Sequence, residues 1–133
     1  METVIVLTDL DLIDRVKTIC HNNPIINRLE VLEDGDVYIV SNNRSVIRLS
    51  ITEPDEIYDQ SLVFKHQESG GNFYALYYYD IELIKFIITR IEYDNLLINN
   101  DFEDINYTYR QFVEKIIACP DWDWRTDSKT DLK

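Results

Sequence analysis

The side chains best suited to chemistry in this sequence are few and scattered. Its two histidines, His21 and His66, lie far apart, and Cys20 and Cys119 occur in no CxxC or metal-like spacing. Nucleophilic catalysis needs a base beside its Ser or Cys, and two distant imidazoles leave little room for one. His21 falls where a helix should end, which suits an imidazolium against the helix dipole. His66 falls at the end of a predicted strand. Gly70-Gly71 is too short to cradle a phosphate, and no P-loop, GxGxxG or GxSxG is present. Carboxylates are abundant, so a paired-acid mechanism is open by inventory alone. Asp121, Asp123 and Asp127 have a calcium-like spacing but lack the central Gly and terminal Glu of an EF-hand loop, and Trp122 and Trp124 interrupt them. Glu33, Asp34 and Asp36 flank Gly35, where Asp-Gly answers the backbone demand of a tight turn. The expectation is a protein that is not an enzyme and holds no metal or cofactor.

Three segments instead join carboxylates to aromatic rings. The first is Glu53, Asp55, Glu56, Tyr58 and Asp59. The second is Asp94, Asp101, Phe102, Glu103 and Asp104, flanked by Tyr93 and Tyr107. The third is Asp121, Trp122, Asp123 and Trp124. Tyr and Trp give large contact area at small entropic loss, while carboxylates steer and clamp Lys or Arg on a basic partner. These residues form the candidate partner-binding set. The competing reading is structural: Tyr58, Phe102 and the tryptophans fold their loops onto the core, with one or both indoles beneath the last helix.

The elements that must position these segments follow from periodicity. A short strand at Thr3 to Leu7 precedes a helix signalled by a capping box at Thr8 and Asp11, with Leu12, Ile13, Val16, Ile19 and Cys20 at helical spacing. Asp11 and Arg15 are placed to pair on its wet face. Asn22-Asn23-Pro24 ends it. The period then switches to two: Arg28 to Glu33 and Asp36 to Ser41 read as a hairpin about Asp34-Gly35, followed by Arg44 to Thr52 with Ile47, Leu49 and Ile51 facing inward. A fourth strand is expected near Ser61 to His66, and a fifth at Phe73 to Tyr79, apolar on both faces like a central strand. Asp80 can cap a helix from Ile81 to about Glu92 whose polar set is Glu82, Lys85, Thr89 and Glu92; its many β-branched residues leave a strand as the rival. After an acidic, irregular stretch with a possible strand at Leu96 to Ile98, Thr108 and Gln111 cap a last helix. Its stripe is Tyr109, Phe112, Val113, Ile116 and Ile117, and Cys119-Pro120 stops it.

The 133 residues carry 25 Asp and Glu against 13 Lys and Arg, a net charge of −12. A field of that sign repels nucleic acid and anionic membranes and attracts basic proteins, although acidity also serves solubility alone. Met1 to Leu7 lacks the basic and long apolar regions of a signal peptide, and no stretch approaches the roughly 20 apolar residues of a membrane span. Buried thiols rather than a disulfide are expected of Cys20 and Cys119. The resulting expectation is a cytoplasmic α+β protein, monomeric or weakly dimeric, with a single domain over 1–125 and a polar tail over 126–133. An antiparallel sheet of about five strands is packed by the N-terminal and C-terminal helices.

A short acidic α+β chain with acidic-aromatic loops, ending in a helix and then Pro120-Asp121-Trp122-Asp123-Trp124, resembles bacterial immunity proteins of the polymorphic-toxin or contact-dependent growth inhibition type. The resemblance implies binding to a basic, nuclease-type toxin and blockage by occlusion, with carboxylates standing in for phosphates. Thr8 to Cys20 and Leu29 to Val40 also resemble the opening of small acidic type III secretion chaperones, which would imply a stable dimer with apolar grooves. A third possibility is a small enzyme using Trp and Asp, which needs a concave pocket holding paired carboxylates.

Overall fold

The computed structural model describes residues 1–57, 62–63, 65, 70–101 and 105–127. Among them seven strands form one open sheet: β1 (Glu2–Thr8), β2 (Ile26–Val31), β3 (Val37–Ser41), β4 (Val46–Thr52), β5 (Asn72–Tyr78), β6 (Leu96–Asn100) and β7 (Ile105–Thr108). Their order across the sheet is β2-β3-β4-β5-β1-β6-β7, with every neighbouring pair antiparallel. Among the described residues the helices of nine or ten residues are α1 (Leu12–Cys20), α2 (Ile81–Thr89) and α3 (Tyr109–Ala118).

Patterning decides which strands lie centrally. Val4, Ile5, Val6 and Leu7 are all buried, as are Phe73 to Leu76, because β1 and β5 are covered on both faces. One face packs against the helices: Val4, Val6, Ile39, Ile47, Leu49, Leu76 and Ile98 meet Leu12 and Val16 of α1, Ile84 and Ile88 of α2, and Phe112 of α3. Each such fully buried aliphatic side chain contributes about 1.5–3 kcal/mol over exposure. The opposite face carries a smaller cluster in which Ile57 and Leu62 cover Ile5, Leu7, Phe73 and Ala75.

Several local expectations hold. Asp80 caps α2 by accepting from the Glu82 N–H at 2.9 Å. Thr108 and Gln111 form a reciprocal capping box on α3, at 3.1 and 2.9 Å. Others do not. The sheet has seven strands, not about five, because β6 runs on to Asn100 and turns back as β7. Leu62, Val63 and Lys65 are helical where a fourth strand was expected; His66 lies outside the described residues. Thr8 ends β1 and does not cap α1: its hydroxyl donates to the Asn95 carbonyl at 2.8 Å, and Asp11 is the cap. Arg15 turns from Asp11 to the Ile91 carbonyl at 3.1 Å. The hairpin turn is longer than Asp-Gly, spanning Leu32 to Asp36, with Leu32 donating to the Asp36 carbonyl at 2.8 Å.

Three side chains also change surroundings. Ile51 is 56% exposed although it alternates with the buried Ile47 and Leu49. Ile117 projects from α3 at 71% exposure. Lys85, grouped with the polar face of α2, is buried, and its ammonium donates to the Pro120 carbonyl at 2.7 Å. Cys20 is buried but Cys119, at the end of α3, is exposed, and both thiols are free.

Candidate functional site

The sheet sorts the acidic segments by its two ends. Thr8 pairs with both Asn72 and Leu96, and Thr52 pairs with Phe73, so β1 and β4 finish at the end where β5 and β6 begin. The loops leaving that end carry Asp9, Asp11, Glu53, Asp55, Glu56 and Asp94, all exposed. With about 4.8 Å between neighbouring strands, the β4 and β6 termini lie within roughly 15 Å. This is the acidic rim.

Local chemistry fixes its shape. Pro54 opens a single 3-10 turn, Pro54–Glu56, which keeps Asp55 and Glu56 in its first turn. The Thr52 hydroxyl donates to Glu56 at 2.9 Å, and the buried Ile57 ties the turn to the sheet beneath. The Tyr93 hydroxyl donates to Asp9 at 2.7 Å, and that carboxylate holds the phenol above its ordinary range. Asp11 accepts from the Asp14 N–H at 3.1 Å, which sets two acids at the positive end of α1. Arg110 reaches Asp94 at 3.2 Å, with both side chains about 70% exposed, so the pair is open to exchange.

The second predicted segment is divided by β6. Asp94 precedes the strand and Asp101 follows it; five residues at about 3.3 Å each place them some 16 Å or more apart. Asp94 belongs to the acidic rim, and exposed Asp101 belongs to the opposite end. Tyr107 is buried in β7, where burial and the Asp127 carboxylate at 2.7 Å push its ionisation well up. Tyr58, Asp59, Phe102, Glu103 and Asp104 lie outside the described residues.

The third segment is mostly interior. Trp124 is fully buried and offers a partner no surface; its indole N–H donates to the Tyr78 hydroxyl at 2.9 Å, and Asn100 donates to its carbonyl. Trp122 packs edge-on against Tyr107, Phe112 and Trp124 and donates to Asp127 at 3.2 Å. Asp123 caps a 3-10 turn, Trp124–Thr126, and is bridged by Arg125 at 2.6 Å, which holds its carboxyl below the ordinary range. Asp121 remains exposed. Trp122 and Trp124, beyond the exposed end of α3, therefore close the core.

Sequence reasoning overlooked one further row. On the face away from the helices, Tyr38, Arg48, Tyr77 and Thr3 lie side by side across β3, β4, β5 and β1, all half-buried. Arg48 also gathers the turn acids, with Asp36 at 2.7 Å and Asp34 at 3.1 Å, so those carboxylates neutralise a guanidinium. The alternation of Arg48 and Ser50 with the inward-facing Ile47 and Leu49 implies this face, but the cross-strand register that aligns Tyr38 and Tyr77 is not a local signal. Among the described residues no group of three or more His, Cys, Asp or Glu stands close enough to hold a metal ion, and no helix is long and apolar enough to cross a membrane. Comparison with protein-family models, curated proteins and solved structures gives no match to this chain.

Proposed function

We propose that this protein binds a basic protein through the acidic rim and neutralises it by occlusion, in the manner of an immunity protein acting on a cationic, nuclease-type toxin. The observation that supports this reading most is the gathering of Asp9, Asp11, Glu53, Asp55, Glu56 and Asp94, from three separate parts of the sequence, at one end of the sheet. A net charge of −12 adds long-range attraction for a cationic surface. The rim is held by buried Ile57 and by backbone pairing, so it can present carboxylates without a large ordering cost on association.

The test is capture of binding proteins on the tagged chain at low salt, followed by salt elution. Recovery of one basic protein released by salt, whose toxic or nuclease activity the chain then suppresses, supports the reading. Recovery of a protein that persists in high salt, held by apolar contact, favours a secretion chaperone and overturns the electrostatic one.

A further inference from the structure

We propose that the open edge of β2 is a homodimer interface, in which two copies of this chain join their sheets about a two-fold axis passing through Leu29. Among the described residues β2 is the outermost strand on its side, and Asn27, Arg28, Glu30 and Val31 are exposed along it. Two of the large exposed apolar side chains, Ile25 at 39% and Val31 at 55%, border this edge.

The backbone dictates which groups are free to pair. Leu32 donates to the Asp36 carbonyl across the hairpin turn, so its N–H points toward β3. Alternation along the strand then turns Glu30 and Arg28 toward β3, opposite Tyr38 and Val40, and turns the N–H and C=O of Leu29 and Val31 toward the open edge. An antiparallel copy centred on Leu29 lets the two Leu29 residues exchange both of their hydrogen bonds.

Charge selects that register. Side chains alternate faces with period two, so pairings that keep the helices of both copies on one side differ by steps of two residues. Centring on Leu29 places Arg28 of each copy opposite Glu30 of the other, at the closely spaced positions of the ladder. A shift one way sets Arg28 against its own copy, and a shift the other way sets Glu30 against its own. Within one chain Arg28 and Glu30 already pair at 3.3 Å, but at 58% and 49% exposure that pair is cheaply exchanged for two inter-chain ones. Between α1 and β2 an open groove of about 610 Å³, lined by Lys17, Cys20, His21, Ile26, Leu29 and Val31, gives the second copy's Leu29 and Val31, which share that face, an apolar surface to meet.

Each copy carries −12, so dimerisation tightens as salt screens the repulsion, the opposite of the dependence expected for a basic partner. Sedimentation equilibrium of the full chain tests this. The expected result is a monomer–dimer equilibrium, weakened about tenfold or more by either Arg28→Glu or Glu30→Arg. An equimolar mixture of the two variants, which restores opposite charges across the axis, should recover a heterodimer, and the double variant should recover the homodimer. A chain that stays monomeric at high salt, or single variants that associate like the parent, overturns the proposal; so does loss in both variants without recovery in the mixture. Both variants keep Glu53, Asp55 and Glu56, so capture of a basic protein is scored independently.

Discussion

The indole of Trp124 donates to the hydroxyl of Tyr78 at 2.9 Å, with both rings fully buried. The contact ties the segment after α3 to the central strand β5, across 46 residues of sequence. Tyr78→Phe keeps the ring but leaves a buried N–H without its acceptor, which should cost about 1–3 kcal/mol. Tyr79→Phe, at 65% exposure, should stay within about 0.5 kcal/mol of the parent. Urea midpoints at unchanged slope measure both, and equal midpoints for the two variants would deny the bond its role. Burial also pushes the Tyr78 hydroxyl from 10.0 up to about 12. Its contribution is fully present below pH 10 and is lost as pH rises through that higher value.

Asp123 shows the reverse dependence. The Arg125 guanidinium bridging it holds the carboxyl below its ordinary 3.8, so the stability it contributes is present above that value and lost as pH falls through the lower folded one. Asp123→Asn keeps an oxygen to accept the Arg125 N–H but removes the charge. We expect a cost of up to about 1 kcal/mol at neutral pH and a shallower loss of stability below pH 3.8. Acid-unfolding curves that superimpose for parent and variant would rule this out.

Short-range chemistry made much of this legible from sequence. Asp80 before Ile81, and Thr108 with Gln111, announce helices because capping is decided within four residues. The apolar run Phe73 to Leu76 announces a central strand because both of its faces need cover. What escaped is what distance decides. Thr8 looked like a cap until β6 brought Asn95 to its hydroxyl. β7 is only four residues, Ile105–Thr108, too short to show a period. The split of Asp94 from Asp101 depends on β6 continuing through Asn99 and Asn100, two polar residues buried by their neighbours and not by their own hydropathy.

Gly71 and Gly35 offer a matched pair for separating backbone strain from steric clash. Both have left-handed φ, +93° and +91°. A Cβ on Gly35 would meet open space, whereas one on Gly71 would lie 2.7 Å from the Thr8 carbonyl oxygen at the end of β1. Gly35→Ala should cost about 1–2 kcal/mol, the left-handed penalty alone. Gly71→Ala should cost clearly more, since backbone must shift beside the rim. Thermal or urea unfolding of the two variants decides it, and equal costs would mean that the Thr8 carbonyl yields to the added methyl group without penalty.

The two ends of the sheet make the binding reading separable by mutation. Replacing Glu53, Asp55 and Glu56 with Ser removes three exposed carboxylates whose only side-chain bond among those described here is that of Glu56 with Thr52, so the fold should survive within about 1 kcal/mol. Rim charges act mainly on the rate of encounter, so association with a basic partner should slow about tenfold or more at low salt and little at high salt. Asp101→Ser, at the other end of β6, serves as the contrast, because it changes net charge without touching the rim. Stopped-flow or surface-binding kinetics across a salt series distinguish local from global charge. If Asp101→Ser slows association as much per charge as the triple variant, the partner senses only the overall field and the rim is not the contact. If the triple variant alone flattens the salt dependence, the loop after β4 is where the basic surface lands.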